Sequence, residues 1–177
     1  CSYADTRTEA EWNDFYSQLK LPALISVSGF HTSQRFKVLA ADVPAPVPVY
    51  LALHTMDDLN VLTGDEYREK GGGNFARWQA HITDWHRNLY ACAQAAPAVQ
   101  AGELLLVSPH GPEALQHIGL SPLAMNAVAL EGFPPQRWIA KLTVQQRHAM
   151  AALPPGIHAY AAMTEQLRKT ALPQSAC

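Results

Sequence analysis

The chain has 177 residues, 48% of them hydrophobic and 16% charged, with a formal net charge of −2. This balance excludes a disordered chain and lacks the basic footprint that nucleic-acid binding needs. No apolar run approaches the ~20 residues of a membrane helix, so a soluble protein with neither membrane nor nucleic acid as partner is expected.

The length suffices for one core, or for two small halves sharing one. The cysteines, Cys1, Cys92 and Cys177, are odd in number and form no CxxC pair, so free thiols in a reducing, cytoplasmic setting are expected. The opening Cys-Ser-Tyr-Ala-Asp leads straight into a helix start and reads as the remnant of a first strand. A processed lipoprotein N-terminus is the alternative.

Thr8-Glu-Ala-Glu11 has the form of a capping box, with Thr8 as N-cap. Trp12, Phe15, Tyr16 and Leu19 then recur at helical spacing and predict the buried stripe. Pro22 is expected to end this helix, because the residue before a proline is disfavoured in the α region. Gly29 opens an extended run through Phe30-His-Thr-Ser-Gln-Arg-Phe-Lys-Val-Leu. The proline-rich stretch 42–49 reads as an extended connection, and 49–56, Val-Tyr-Leu-Ala-Leu-His-Thr-Met, as a strand. Residues 57–82 read as mostly helical with a break at Gly71-Gly72-Gly73. Those glycines follow a charged helical stretch and precede no Lys-Ser/Thr, so they are no phosphate loop. Residues 85–93 predict a strand, and the Ala-rich stretch 93–102 a linker.

The second half repeats the pattern. Glu103–Ser108 predicts a strand and 111–120 a short helix with Pro112 in its first turn. Residues 125–133 and 137–143 predict strands about a Pro134-Pro135 turn, 144–153 a helix and 157–167 a final strand. Each half thus has the order strand, helix, strand, strand, helix, strand, a split βαβ unit used twice. The expected organisation is a first half over 1–92, the linker over 93–102 and a second half over 103–177. The fold class is α+β: two tandem ferredoxin-like halves packing sheet to sheet as a barrel. Joining the bare sheet faces removes apolar exposure worth roughly 25 cal/mol per Å2 and encloses an interior.

Phe15-Tyr-Ser-Gln-Leu-Lys-Leu-Pro22, Val27-Ser-Gly-Phe-His-Thr-Ser-Gln-Arg-Phe-Lys37 and Pro48-Val-Tyr-Leu-Ala-Leu-His-Thr-Met56 together resemble the EthD-like branch of the dimeric α+β barrel proteins. Tyr16, Leu21-Pro22, Gly29-Phe30, Arg35-Phe36 and the Tyr50-Leu-Ala-Leu53 strand carry the resemblance. It covers roughly 3–90, with a fainter echo over 103–167. It implies a barrel closed within the chain or by a homodimer, and a small-molecule ligand between the sheets. At the family's Asp, Glu and His positions stand Ser17, Leu19 and Lys20, so an ammonium replaces an imidazole.

Lys20 is either a desolvated base or anion-holding cation at the barrel mouth, or a helix C-terminal charge favoured by the dipole. On the 49–56 strand, Val49, Leu51 and Leu53 form an apolar set expected against the helices. That turns Tyr50 and His54 toward the cavity, where a histidine can exchange protons near neutrality or sit as a hydrogen-bonded core residue. His86, Asn88 and Tyr90 form a polar set that lines a pocket or faces water. Arg35 is suited to a carboxylate or phenolate, or shares a solvated face with Lys37. His158 and Tyr160 repeat the His/Tyr arrangement. The candidate catalytic residues are therefore His54 and His86; the candidate ligand-binding residues are Tyr16, Lys20, Arg35, Tyr50, Asn88 and His158. No HExxH, Cys/His cluster, GxSxG or nucleotide motif occurs, so no metal or cofactor is expected. Three functions stay open: cofactor-independent proton transfer on a small apolar or aromatic metabolite, non-catalytic binding of such a molecule, and, from the resemblance, haem handling through an interior His.

Overall fold

Leu104-Leu105-Leu106-Val107 is apolar at every position, and only a strand covered on both faces can bury such a run. The structure, a computed structural model, buries all four side chains. It describes residues 1–39, 47–71 and 75–169. Most of the expected proline-rich connection (42–46), Gly72 and Gly73 of the glycine break, and Cys177 lie outside the described residues.

In chain order the elements are β1 (Ser2–Tyr3), α1 (Glu9–Phe15), a π-helical turn (Tyr16–Lys20), α2 (Leu21–Ser26), β2 (Phe30–Val38), β3 (Tyr50–Met56), β4 (Ile82–Thr83) and β5 (Asn88–Cys92). The second half contributes β6 (Glu103–Ser108), α3 (Glu113–His117), β7 (Leu123–Leu130), β8 (Gln136–Thr143), α4 (Val144–His148), β9 (His158–Ala162) and β10 (Leu167–Arg168). The class is mixed α+β, with short helices on a strongly curled antiparallel sheet, a half-barrel.

That sheet has eight strands in the order β10-β2-β9-β6-β8-β7-β5, with β3 also paired to β2. Two separate sheets were expected. Instead β2 pairs with β9 and β10, and β5 with β7, so strands of the two halves join edge to edge. The reason is that a free edge carries unpaired N–H and C=O groups, which the other half satisfies. Within the second half the order β9-β6-β8-β7 brings β6 to the middle of its neighbours, as its apolar sequence demands.

The curl separates two faces. Inside it Phe36, Leu105, Val107, Met125, Ile139 and Tyr160 meet from five strands, with Leu51, Leu53 and Tyr90 packed against them. Outside, α3 and the residues Met150 and Leu153 beyond α4 cover Leu106, Ala140, Leu142 and Ala159. The segment α1–α2 covers β2 and β3 through Trp12, Tyr16, Leu21 and Tyr50.

Several expectations are corrected. Thr8 stands at the N-cap of α1 as expected, but no capping box forms, because its hydroxyl engages Asp5 and the Tyr3 hydroxyl. A capping box forms instead at α4, between Thr143 and Gln146. Pro22 does not end the first helix. The Leu21 N–H bonds the Tyr16 carbonyl five residues back, and this wider turn accommodates the ring of Pro22 at the first turn of α2. The widened turn also changes the stripe: Trp12, Tyr16, Lys20, Leu21 and Leu24 are buried, while Leu19 is 64% exposed. The stretch 57–82 is no long helix but short turns at Leu59–Thr63, Tyr67–Gly71 and Gln79–His81, because glycines 64 and 71 interrupt a largely polar sequence.

The stretch 93–102 docks as irregular backbone. The amide of Gln34, 1% exposed, donates to the carbonyls of Val99 (2.8 Å) and Thr164 (2.9 Å) and accepts from the Val99 N–H (3.1 Å). Buried groups without partners cost about 1–3 kcal/mol each. Gln34→Ala is therefore expected to lower stability by about 2–3 kcal/mol in urea unfolding, with faster amide exchange at Val99.

Candidate functional site

The edge of β3 away from β2, which has no strand partner among the described residues and bonds the Cys1 backbone at Tyr50, borders a cavity of about 1290 Å3 that continues into the curl of the sheet. Because the cavity wraps this edge, both alternating sets of β3 line it. The facing of the strand is the reverse of the expectation. Leu51 and Leu53 point into the curl, whereas Tyr50 and His54 face the layer under α1 and α2. The physical reason is that this outer layer is built around a buried cation, and the polar set of β3 serves it.

That cation is Arg35, 1% exposed on β2. Its Nη1 donates to the Asn13 carbonyl (3.0 Å) and the Ser17 hydroxyl (2.9 Å), and its Nη2 to the Asn13 side-chain oxygen (2.8 Å). The guanidinium lies 4.2 Å from the Tyr16 ring, 5.1 Å from Trp12 and 5.7 Å from Tyr50. Burial lowers its pKa to about 10, so it stays charged at neutral pH. Arg35 and Lys37 were open to a shared solvated face; only Lys37 is exposed, pairing with Glu9 at 3.3 Å. Tyr50 donates a short hydrogen bond to the same Glu9 carboxylate and accepts from the Asn13 amide at 3.0 Å.

Lys20 is 5% exposed, which excludes the reading of a solvated helix-end charge. The π-turn carries it inward, where its Nζ donates to the Gly71 carbonyl and lies 5.0 Å from the centre of the Phe75 ring. Burial lowers its pKa, and the nearby Arg87 adds to that. Tyr16 is buried beside it, and desolvation raises its phenol pKa.

The ring of His54 has Nδ1 2.9 Å from the Ser33 hydroxyl and its edge toward Phe30. Desolvation, then Arg87 and Lys20, depress its pKa to about 4, so the imidazole is neutral at pH 7. His86 sits apart from it on the exposed rim, with Nδ1 3.2 Å from Glu131. Asn88 is a clamp: its amide donates to the Tyr90 hydroxyl (2.8 Å) and the Phe133 carbonyl (2.9 Å) and accepts from the Gly132 N–H (2.7 Å). His158 lines the curl beside Tyr160, and its Nδ1 is buried without a hydrogen-bond partner. Burial lowers its pKa, with His110 and Arg137 acting in the same direction.

All eight candidate residues line the one cavity. They fall into an outer group under α1 (Tyr16, Lys20, Arg35, Tyr50, His54), a rim pair on or beside β5 (His86, Asn88) and His158 inside the curl. The sequence reading missed Asn13, Phe75 and Arg137. Asn13 and Ser17 had a signal, two polar residues four apart on the stripe that carries Tyr16 and Lys20; Phe75 and Arg137 had none. The cavity also has an uneven charge. Among the described residues no carboxylate pairs with its cations Lys20, Arg35, Arg87 or Arg137, whereas Lys37, Lys70 and Lys141 elsewhere each hold one.

Among the described residues no three His, Cys, Asp or Glu side chains converge as a metal site requires, and no helix is long and apolar enough to cross a membrane. Comparison with protein-family models, curated proteins and solved structures yields no match to this chain.

The depressed pKa of His54 has a consequence for stability. Between its ordinary 6.5 and about 4, the unfolded chain takes up a proton that the folded chain refuses. Stability should therefore fall as pH drops through this window and be level above it, by up to about 3 kcal/mol from this residue. His54→Gln is expected to remove that part of the slope in urea titrations from pH 7 to pH 4.

Proposed function

We propose that this chain is a tandem EthD-like α+β barrel whose cavity takes a small, largely apolar or aromatic metabolite and transforms it by proton transfer without a cofactor. The reaction type is isomerisation, cyclisation or decarboxylation. One observation carries the reading: a largely apolar cavity at the β3 edge collects candidate acid–base groups and the cations Lys20, Arg35, Arg87 and Arg137, none of which forms an ion pair among the described residues, beside the carboxylates Asp57 and Asp58. Such cations stabilise an enolate or carboxylate oxygen far better in a dry site than in water. His54 serves as proton acceptor, its neutral ring held by Ser33. His86, through Glu131, exchanges protons with solvent at the rim. The curled sheet stops short of closure, and a homodimer that completes the barrel belongs to the same proposal.

A second reading, a binding protein without turnover, is favoured by the same pKa. A base that low is far from the working pH, and proton transfer is most effective when the two match.

Turnover and binding of phenols, lactones and β-keto acids separate the readings. For the enzyme, His54→Ala is expected to lower kcat by about 100-fold or more while ligand affinity holds. Tight binding with no turnover across the panel would leave the binding protein standing.

A further inference from the structure

The chain has five lysines, and four are ordinary. Lys37, Lys70 and Lys141 pair with Glu9, Glu66 and Glu103, and exposed Lys169 donates to the carbonyl of Val27 at 3.0 Å. Lys20 alone among them is both buried and without a carboxylate partner among the described residues. It is buried, it lines the cavity, an aromatic ring lies against it, and its one hydrogen-bond partner among the described residues is the neutral Gly71 carbonyl. A carboxylate would hold the proton on the amine; a carbonyl and a phenyl face hold it only loosely. When the amine is neutral, one N–H still donates to Gly71 and the lone pair remains for a bond.

We propose that Lys20 is an imine-forming nucleophile, and that the cavity takes a ketone or aldehyde with an apolar body. The amine nitrogen attacks the carbonyl carbon to give a carbinolamine. The former carbonyl oxygen then leaves as water, the nitrogen lone pair forms the C=N bond, and the nitrogen keeps one proton as an iminium. The sum is ammonium plus carbonyl compound giving iminium plus water, with no oxidant or reductant. Such an iminium draws electrons from the neighbouring carbon, which eases proton removal or loss of carbon dioxide there. Arg87, near enough to act electrostatically on Lys20, Tyr16 and His54, suits an acidic group on the same substrate.

Desolvation and Arg87 both depress the basicity of Lys20, while Lys37 is held above the ordinary lysine range by Tyr50 and then Glu9, and Lys70 by Glu66. Each unit of lowering raises the neutral fraction about tenfold at neutral pH. The proposal rests on the reading of the cavity as the ligand site, and the two can fail separately.

The test uses the whole chain with benzaldehyde and cyanoborohydride at pH 7, followed by peptide mapping. Mapping assigns each adduct to its own amine. Displacement of the apolar dye anilinonaphthalene sulfonate by benzaldehyde is read in parallel. Expected is a reduced benzyl adduct at Lys20 about tenfold faster or more than at any other lysine. Lys20→Arg, which keeps the cation, and Lys20→Met, which suits the buried site, should both lose that adduct and keep the dye. Dye binding and displacement with Lys20 no faster than the surface lysines overturn the imine and leave the cavity reading intact. Absence of dye binding, with adducts spread evenly, overturns both.

Discussion

A guanidinium kept from water without a carboxylate is the constraint on which the first half depends. Desolvating such a charge costs several kcal/mol, so every donor must find an acceptor and the field must be met by polarisable faces. Asn13 and Ser17 supply oxygens from α1 and the π-turn, and Tyr16, Trp12 and Tyr50 supply the ring faces. This fixes α1 over β2 at one height. It also fixes the facing of β3, since Tyr50 is needed beneath the helix and not inside the curl.

The π-turn is the second half of that arrangement. One extra residue in the turn moves Lys20 onto the buried stripe and swings Leu19 into water. An apolar residue exposed beside a buried lysine is an exchange no core would favour for stability. It fits the proposed role of Lys20 in the cavity, and π-turns recur at functional sites. Lys20 also reaches the carbonyl of Gly71, where a Cβ would lie 2.7 Å from the Tyr67 ring, so a side chain there would force the neighbours apart.

What could be read from the sequence follows the strength of its periodicity. The second half was legible because Leu104-Leu105-Leu106-Val107 admits only a central strand, and because His158 and Tyr160 alternate with buried Ile157 and Ala159. The first half was less so, although its candidate residues line the same cavity. Alternation on Tyr50–Met56 assigns two faces but not which is which. The usual guess, apolar toward helices, fails where a polar network lies under the helix. Thr8 misled for a related reason: Asp5 and Tyr3 compete for its hydroxyl, while the genuine box at Thr143-Val-Gln-Gln146 has the same spacing and no competitor.

The two faces of β3 divide the labour of the cavity. Leu51 and Leu53 join the apolar wall of the curl. Tyr50 and His54 belong to the charged outer layer, where the cations lie. Under the proposed function, a ligand spanning the edge would meet both, its apolar body inside and its polar end toward Lys20. In a strand with neighbours on both sides the two faces could not share a ligand, because the sheet itself would separate them. Past Tyr50, which bonds Cys1, this edge has no strand partner among the described residues, a liability in an ordinary sheet, and it leaves both faces of β3 open to the same cavity.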